Sequence, residues 1–528
     1  MESETRKTPL IASPVPGIGA GDRLSSLPDE IISHILSFLQ TKYAVGTAVL
    51  SRRWKDLWVR VSSLDLDNCL VYKPLNREIA FRSLPMDEQQ KYLYGKVPDP
   101  VSEILGRRDL EFCRFVDRVL SKHKNLDSLR RFRFHFSTLL HKRNQASPDS
   151  WFERELVFGP LLEEIDVSIS GETDFGIPQC FRCIPESFYA LRNLKVAKLG
   201  GFVLGAVEES VFLPSVKILQ LWRVVVEDFN SLGRFLHGFP SLETAHLQFC
   251  FPSNRGEDEV LEISLPYLKN LQILDDPDVY YPDGDYGTAC AIVLEAPKLE
   301  DLHFDVTSTD FDMVGGPFPC LHSAYVDIGD CESSDHLQME VLTRISYAKE
   351  ITFGQCMRHM LVTNDVQFPE FPNLTHLTMQ SMCSRRVLHS LLNSATKLQS
   401  LVIYLGGDRG QPGWDRRSES YTTPKCLLSS LEEIEIKDIV EYEDDVELVA
   451  YLLEVGAVLK KVNLVLSCYG YKDTQNRKAL ASLLKRPRRS SSCEVRLILP
   501  NNEEFRIDSD HESDIDDHHC HVFDEEDS

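Results

Sequence analysis

The first strong hydrophobic pattern follows a polar, Pro- and Gly-rich stretch at residues 1–20, which we expect to be disordered. Between residues 21 and 66, apolar residues recur at helical spacing in two runs separated near Gln40. Ser26, Pro28 and Asp29 match a helix start with a capping box. The pattern predicts three small helices, and a module of about 45 residues cannot bury all its apolar surface alone. We therefore expect it to bind a partner. Its apolar positions are Leu27, Ile31, Ile35, Leu36, Leu39, Leu50, Trp54, Leu57 and Trp58.

Between residues 67 and 108, Tyr, Pro and charged residues follow no sustained period. We expect an irregular connector there. From Asp109 to Lys122 the apolar residues return at helical spacing, which predicts an amphipathic helix.

A repeated apolar frame then runs from residue 109 to residue 420 and continues weakly beyond it. Twelve units fit an L-x-x-L-x-L pattern, and their anchors lie 22 to 33 residues apart. This period is the signature of leucine-rich repeats, whose units stack to complete a shared core. The units begin with the apolar residue at 162, 191, 216, 242, 268, 299, 321, 348, 374, 398, 431 and 459.

Six units are preceded by an apolar residue followed by proline. Proline holds φ near −65° and keeps its predecessor extended, so the pair predicts a turn into the strand. The residue before proline is free to point into the core. These pairs are Leu213-Pro214, Phe239-Pro240, Leu265-Pro266, Ala296-Pro297, Phe318-Pro319 and Phe371-Pro372.

In each unit the last two apolar residues point inward, so the residue between them faces the opposite side of the strand. In a horseshoe this opposite side is the concave face, where ligands bind. The predicted row is Asp166, Lys195, Gln220, His246, Gln272, His303, Tyr325, Thr352, Thr378, Val402, Glu435 and Asn463, continued two residues on by Trp222, Gln248, Asp305, Asp327 and Tyr404. Aromatic and histidine side chains are typical of recognition surfaces, although a solvated strand face is the simpler interpretation. We expect a target to dock on Gln220, Trp222, His246, Gln248, His303, Asp305, Tyr325 and Asp327.

Composition and charge narrow the class of protein. The 528 residues are 42% hydrophobic and 26% charged, which is typical of folded proteins, and no apolar run is long enough to span a membrane. The net charge of −24 argues against general nucleic-acid binding, because phosphate contacts need basic surfaces. Residues 501–528 carry a net charge of −11 and are expected to form a solvated, disordered tail. Fourteen scattered cysteines favour the reducing cytosol or nucleus.

The helical segment resembles an F-box through Leu27-Pro28-Asp29-Glu30, the stripe that follows, and Leu50-Ser51-Arg52-Arg53-Trp54 with Trp58. Residues 421–500 resemble an FBD domain, through Thr423-Pro424-Lys425-Cys426-Leu427, Glu447-Leu448, Tyr451-Leu452-Leu453, Leu459-Lys460-Lys461 and Arg488-Arg489-Ser490-Ser491-Ser492-Cys493. F-box, leucine-rich repeats and FBD in this order are similar to the plant F-box/LRR/FBD family. The resemblance implies an α/β fold, in which a three-helix F-box precedes a horseshoe of parallel strands that ends in an FBD-type cap.

The same resemblance implies a substrate receptor of an SCF-type ubiquitin ligase, with the F-box bound to a Skp-type adaptor and through it to a cullin scaffold. A scaffold protein that binds the adaptor without a cullin is the alternative. By motif position, the adaptor-contact or F-box core residues are Leu27, Pro28, Ile31, Ile35, Leu36, Leu50, Trp54 and Trp58. Leu27 and Pro28 lie at the exposed start of the first helix, so we assign them to the interface. The two tryptophans fit the core and the interface equally well.

No pattern for catalysis, a cofactor or a metal stands out. Cys180 and Cys183 form a lone C-x-x-C without a second pair, and the His-rich run at 518–521 lies in the acidic tail. A phosphate-binding loop follows a strand, and the glycines at 17–21 do not, so we do not interpret them as such a loop. The basic run 485–489 fits a nuclear import signal or a surface turn. We expect a protein without an enzymatic site, located in the cytosol, the nucleus or both.

Overall fold

The computed structural model describes much of the helical module and of the repeats. The described residues are 24, 26–68, 86, 100–123, 126–138, 159–171, 182–184, 186–205, 211–226, 228–250, 260–275, 290–306, 311–328, 335–355, 357, 368–381, 385–405, 422–439, 443–467, 488–498 and 504–506. The predictions for residues 1–20, for 69–85 and 87–99 of the connector, for Cys180, for 485–487 and for the tail beyond 506 lie outside them.

The N-terminal module is helical. Its first helices, α1 and α2, are followed by 3₁₀ helices at Thr47–Val49 and Trp54–Arg60, so the third predicted helix is 3₁₀. A long helix, α3, begins in the predicted connector and ends at Lys122. The α-helices are α1 Asp29–Leu36, α2 Thr41–Gly46, α3 Pro100–Lys122, α4 Phe229–His237, α5 Asp335–Arg344, α6 Arg385–Ser394, α7 Lys425–Ser429 and α8 Glu443–Val455.

Eighteen of the described strands form one long sheet, which is parallel except for the antiparallel pairing of its last two strands in the chain. Each of the twelve predicted repeat units contributes a strand. The long sheet contains β1 Ser63–Asp67, β2 Arg131–Thr138, β3 Glu164–Gly171, β4 Arg182–Cys183, β5 Val196–Gly200, β6 Phe202–Leu204, β7 Ile218–Val226, β8 Thr244–Cys250, β10 Asn270–Asp275, β12 Asp301–Val306, β14 Ser323–Ile328, β15 Glu350–Phe353, β16 His376–Met379, β17 Ser400–Tyr404, β18 Glu433–Ile439, β19 Lys461–Leu466, β20 Glu494–Ile498 and β21 Glu504–Arg506. Helices at the N-terminus followed by a long parallel sheet confirm the predicted α/β solenoid.

The sheet begins earlier in the chain than the repeat pattern indicated. Strand β1 pairs in parallel with β2, and β2 pairs with β3, so two strands precede the first predicted unit. The backbone N–H of Asp65 in β1 donates to Thr41 Oγ1 at 2.8 Å, and His123 Nε2 lies 3.1 Å from the carbonyl oxygen of Val61. The helical module is therefore joined to the first strand of the solenoid by hydrogen bonds.

The turns into the strands are built as their sequence predicts. All six residues before proline are buried. The carbonyl of each accepts a hydrogen bond from the backbone N–H three residues later, as Leu213 does from Val216 and Phe371 does from Leu374. Burying a Leu or Phe side chain contributes roughly 1.5–3 kcal/mol, so five of the six turns, all but that at Ala296, also anchor their repeats to the core in this way.

A second, smaller sheet was not anticipated. It joins β9 Val260–Ser264, β11 Cys290–Glu295 and β13 Phe311–Val314 in parallel, and it packs between α4 and α5. The buried Arg344 of α5 closes its edge: its guanidinium donates to the carbonyls of Leu294 at 2.6 Å, Gly316 at 3.0 Å and Val314. The same group stacks on the Phe318 ring.

The sequence also predicts that the chain has no membrane-spanning segment and no metal site. None of the described helices combines the length and the apolar content that crossing a bilayer requires. Within the described residues, no group of three or more His, Cys, Asp or Glu side chains is arranged to hold a metal ion.

Candidate protein-binding surfaces

The helical module leaves an unusual share of its apolar side chains in solvent. Along α1 and the turn after it, exposed residues recur at offsets of four and seven to eight, which places them on one face. A second group lies on α2 and on the segment between α2 and the last 3₁₀ helix. The exposed large apolar residues are Leu24, Ile31, Ile35, Phe38, Leu39, Tyr43, Val49 and Leu50. We call this set the F-box apolar face.

The predicted adaptor-contact residues divide between this face and the core. Ile31, Ile35 and Leu50 are exposed, and Pro28 is exposed at the start of α1. Leu27 is half-buried. The other three are buried: Leu36, Trp54 and Trp58, the two tryptophans with 7% and 5% of their surface exposed. In this structure those three support the face from below, and the prediction of adaptor contact now rests on the four exposed residues and half-buried Leu27.

The start of α1 differs from the predicted capping box. The helix begins at Asp29 with Pro28 as its N-cap, and no side chain caps it. The Asp29 carboxylate instead accepts hydrogen bonds from Arg53 Nε at 2.9 Å and Nη2 at 2.6 Å, while Nη2 also donates to the Leu27 carbonyl at 2.5 Å. The Asp29 carboxylate is thus bound by Arg53, and this pair links α1 to the segment that carries Trp54.

Five exposed residues of the face were not among the predicted contacts. Leu24, Phe38, Leu39, Tyr43 and Val49 are all exposed, and Val49 is the most exposed of the face at 87%. Phe38 and Leu39 follow Ile31 and Ile35 at helical spacing, so that periodicity was the available signal. Val49 precedes the Leu50-Ser51 motif, where no periodicity distinguishes an exposed position.

The strand register confirms eleven of the twelve positions in the predicted concave row. Gln220 lies opposite His246, His246 opposite Gln272, Gln272 opposite His303, and His303 opposite Tyr325. The exception is Lys195, because Lys198 is the residue opposite Asp166 and Gln220. The inward positions of that repeat are Leu194, Ala197 and Leu199, so a frame that began at Leu191 was three residues early.

A paired charge network occupies the N-terminal end of this face. Arg133 on β2 lies 3.3 Å from Asp65, 3.1 Å from Asp67 and 3.6 Å from Asp166, which flank it on β1 and β3. His135 Nε2 contacts Asp166 at 2.7 Å. Burial raises the pKa of the Asp65 carboxyl, and the Arg133 charge opposes that rise. The carboxylate of Asp166 is thus already engaged by two neighbours.

Trp222 lies next to this network. Its Nε1 donates to Ser168 Oγ at 3.3 Å, two strands away, so the indole crosses the intervening strand β5 at Gly200. A Cβ on Gly200 would stand 2.3 Å from the indole nitrogen, so only glycine leaves room for the ring. The bulge in β7 follows directly, with Arg223 at φ 51°. The indole therefore forms a half-buried platform on the concave face.

The centre of the face carries His246, His303 and Tyr325. The His303 and Tyr325 rings stack with centroids 4.2 Å apart and planes 11° from parallel. Burial lowers the pKa of His246; burial and the nearby His246 lower the pKa of His303. Both imidazoles are therefore uncharged at neutral pH. The Nε2 atom of His246 is buried and has no hydrogen-bond partner among the described residues.

The outer row of predicted target-binding residues is less uniform. Gln248 is half-buried opposite Leu274, and Asp305 lies opposite Asp327. Asp327, however, is only 6% exposed, and its Oδ2 accepts the backbone N–H of Gln355 at 3.1 Å. A Cβ at Gly354 would fall within 2.3 Å of this carboxylate. The Asp327 side chain secures the end of β15 and is not presented on the open face as predicted.

A ladder of polar residues, which the sequence pattern had not identified as a row, runs along the strand starts. Each member donates its backbone N–H to the carbonyl of the previous one, so the ladder is continuous over the twelve units. Its side chains form ion pairs: Arg130 with Glu163 at 2.6 Å, Glu163 with Lys195 at 2.7 Å, and Lys217 with Glu243 at 2.7 Å. We call it the rim ladder. It consists of Glu163, Lys195, Lys217, Glu243, Lys269, Glu300, His322, Lys349, Thr375, Gln399, Glu432 and Lys460.

The C-terminal end of the concave face is again paired. Lys437 contacts Glu435 at 3.2 Å and the Tyr404 hydroxyl at 3.2 Å, and Arg496 contacts Glu494 at 3.0 Å. Strands β18, β19 and β20 extend the sheet here, so residues 433–498 continue the solenoid. Helix α8 contacts α7 and buries Val449, Leu452 and Leu453. The two ends of the face are therefore occupied by internal ion pairs.

Comparison with known proteins identifies two domains in the chain. The F-box domain model matches residues 24–66, and the FBD model matches residues 420–464. The chain is 27% identical to an F-box/FBD/LRR-repeat protein of Arabidopsis thaliana over 90% of its own length and 96% of the relative. A second Arabidopsis thaliana F-box/FBD/LRR-repeat protein is 27% identical, over 90% and 95% of the two chains.

These matches confirm the predicted resemblance to plant F-box/LRR/FBD proteins. The chain carries an F-box domain and an FBD domain, and relatives at this level of identity span nearly its whole length. They report neither which residues contact a partner nor which partner is bound, so both sets of contact residues stay predictions.

Proposed function

We propose that this chain, with its F-box, solenoid and FBD region, is a substrate receptor of an SCF-type ubiquitin ligase. The F-box apolar face binds a Skp-type adaptor that leads to a cullin scaffold, and the concave face holds a target protein. The chain supplies no catalytic group in this proposal. Its contribution is positioning, because holding a target beside the activated ubiquitin raises the effective concentration of the target's lysines.

The observation that carries the proposal is the F-box apolar face itself. Eight large apolar side chains between Leu24 and Leu50 are exposed, while the core beneath them, with Leu57 and both tryptophans, is complete. Leaving such a cluster in water costs about 25 cal/mol for each Å² that a partner would cover. A face of this kind on a folded module is typical of a protein-interaction site.

The second half of the proposal, target binding, is supported by the contrast along the concave face. Its ends are neutralised by their own ion pairs, whereas its centre presents Trp222, His246, His303 and Tyr325. Aromatic side chains on a preformed surface are favoured at binding hot spots, because little conformational entropy is lost when they bind. The five described free cysteines accord with a reducing compartment, and we place the receptor in the cytosol or the nucleus.

The first test is co-expression with a Skp-type adaptor, followed by pull-down of the complex with a cullin. Two substitutions form a matched pair: Ile35→Asp on the F-box apolar face and Leu428→Asp on α7, at side chains that are 40% and 39% exposed. We expect Ile35→Asp to abolish adaptor capture and Leu428→Asp to leave it intact, with both variants folded by circular dichroism.

Retention of the adaptor without any cullin would replace this proposal by the scaffold alternative. Equal loss of capture in both variants would show that the defect is general and that the F-box apolar face is not the contact. A folded native chain that captures neither partner would refute the receptor role.

A further inference from the structure

The concave face has a stretch without acidic residues. Strands β5, β7, β8 and β10 place twelve residues on this face, and none is Asp or Glu, in a chain that contains 81 acidic residues. We call it the acid-free window. It consists of Val196, Lys198, Gly200, Ile218, Gln220, Trp222, Thr244, His246, Gln248, Asn270, Gln272 and Leu274.

From this arrangement we infer the class of target segment, an inference that rests on the proposed receptor function. We propose that the acid-free window binds an extended, largely uncharged peptide segment of the target, with an apolar or aromatic side chain over Trp222 and one carboxylate at Lys198.

The carboxamide side chains supply the first argument. Gln220, Gln248, Asn270 and Gln272 make no side-chain hydrogen bond with any other residue that the structure describes. A carboxamide both donates and accepts, which is the complement of a peptide backbone with its alternating N–H and C=O groups. Four unengaged carboxamides on neighbouring strands therefore suit an extended backbone that runs across the sheet.

Trp222 supplies the apolar contact. Gly200 and the hydrogen bond to Ser168 hold the indole flat, so the ring is fixed before any ligand arrives. Half-buried Ile218 and Val196 continue this apolar surface toward the strand starts. A rigid aromatic ring beside branched aliphatic side chains favours an apolar or aromatic side chain of the ligand.

Lys198 sets the charge of the ligand at one end. It forms no ion pair within the described part of the chain, because the neighbouring Asp166 carboxylate is taken by Arg133 and His135. It carries the one formal charge of the window, since burial lowers the pKa of His246 and keeps that imidazole neutral. At the opposite border the next strand presents Asp301 and Asp305. A carboxylate is thus attracted at β5 and repelled beyond β10.

The dimensions agree with a short segment. Strands in a sheet lie about 4.8 Å apart, so the three steps from Lys198 to Gln272 span roughly 14 Å, or about four to five extended residues.

The test is a selection from a phage-displayed library of random twelve-residue peptides on the purified full chain, which needs no adaptor. Native chain, Lys198→Glu and Trp222→Ala are compared with Lys461→Glu, a concave-face lysine on β19 that lies outside the window. Circular dichroism and melting temperature establish that each variant is folded. We expect the native chain to select peptides with one acidic residue at a constant spacing from an aromatic or aliphatic residue.

With the selected peptides, Trp222→Ala and Lys198→Glu should each weaken binding at least about tenfold, whereas Lys461→Glu should change it less than about twofold. A repeat selection on Lys198→Glu should exchange the acidic position for a basic one. Such a charge exchange cannot result from misfolding.

Several results would overturn the inference. Enrichment of basic peptides on the native chain, or equal loss of binding with Lys461→Glu, would place the ligand outside the acid-free window. Competition by a synthetic peptide of residues 507–528, or a dimer in light scattering that Trp222→Ala dissolves, would identify this chain itself as the occupant. No enrichment, combined with intact capture of adaptor and cullin, would refute the window and leave the receptor role standing.

Discussion

The F-box module and the solenoid bury their apolar residues in opposite ways. Of seventeen exposed large apolar side chains in the described chain, eight lie between Leu24 and Leu50, and the other nine are scattered from Met86 to Leu428. The solenoid turns its inward rows into one core and presents polar rows to water. A stacked array can complete its core from neighbouring repeats, whereas a small helical module has too little interior.

This difference teaches where a substitution should change stability and where it should change binding. Solenoid residues act mainly on folding, because each inward side chain is shared between neighbouring repeats. Residues of the F-box apolar face touch solvent in the isolated chain, so their replacement costs little until a partner is present. The experiments below test this contrast, ordered from the largest expected change in stability to the smallest.

Phe353→Ala should be the most damaging change. Phe353 is fully buried on β15, in the middle of the sheet. Truncation of a buried phenylalanine typically costs about 3–5 kcal/mol because a cavity remains. Thermal unfolding followed by circular dichroism would measure this loss, and an unchanged melting temperature would contradict the assignment of β15 to the core. Phe38→Ala on the F-box apolar face, with that side chain 68% exposed, is the matched control.

Arg344→Met should cause the next largest loss of stability. The substitution keeps much of the buried aliphatic volume but removes the donors that serve the carbonyls of Leu294, Val314 and Gly316. An unsatisfied buried acceptor costs roughly 1–3 kcal/mol. Hydrogen exchange should then rise first in β11 and β13. If exchange rose equally in the F-box helices, Arg344 would not act as a local closure of the smaller sheet.

Mild acid should destabilise the joint between the two regions. Burial lowers the pKa of His123 from 6.5, and its Nδ1 atom is buried without a hydrogen-bond partner among the described residues. The unfolded chain then binds a proton at His123 more readily than the folded chain does. The contribution of neutral His123 to the free energy of unfolding is therefore fully present above pH 6.5, and it is lost as the pH falls toward the lowered pKa of the folded state. Melting temperatures between pH 7.5 and 5.5 should fall more for the native chain than for His123→Gln, compared with the exposed-site control His322→Gln.

Glu243→Gln in the rim ladder should have the smallest effect. The hydrogen bond from Lys217, more than the charge of Lys269, lowers the pKa of the Glu243 carboxyl, but 35% of this side chain is open to water, which screens the charge. We expect a small decrease in melting temperature at low salt that disappears as the ionic strength rises. A decrease that persisted in high salt would mean that the ladder contributes through its geometry and not through charge.

How far the sequence predicts this molecule depends on the range of the interaction. The repeat units and the proline turns were predictable because a period of two and the fixed φ of proline are local properties. The frame at Lys195 was wrong because Leu191 and Leu194 are both apolar, and only the pairing with β3 and β7 distinguishes them. Helix periodicity likewise placed Ile31, Ile35 and Leu36 on α1 but could not show which of them the following segment covers.

The amino-acid sequence by itself determined the order of the domains, the class of fold and the inward and outward rows of nearly every strand, since these follow from spacing along the chain. Tertiary structure alone decided which outward residues are available. It buried Asp327 against β15, engaged Asp166 with Arg133 and His135, and left Lys198 and four carboxamides without described partners. Whether a polar side chain is satisfied depends on neighbours from other repeats, which lie far away in the sequence and come close only in the folded solenoid.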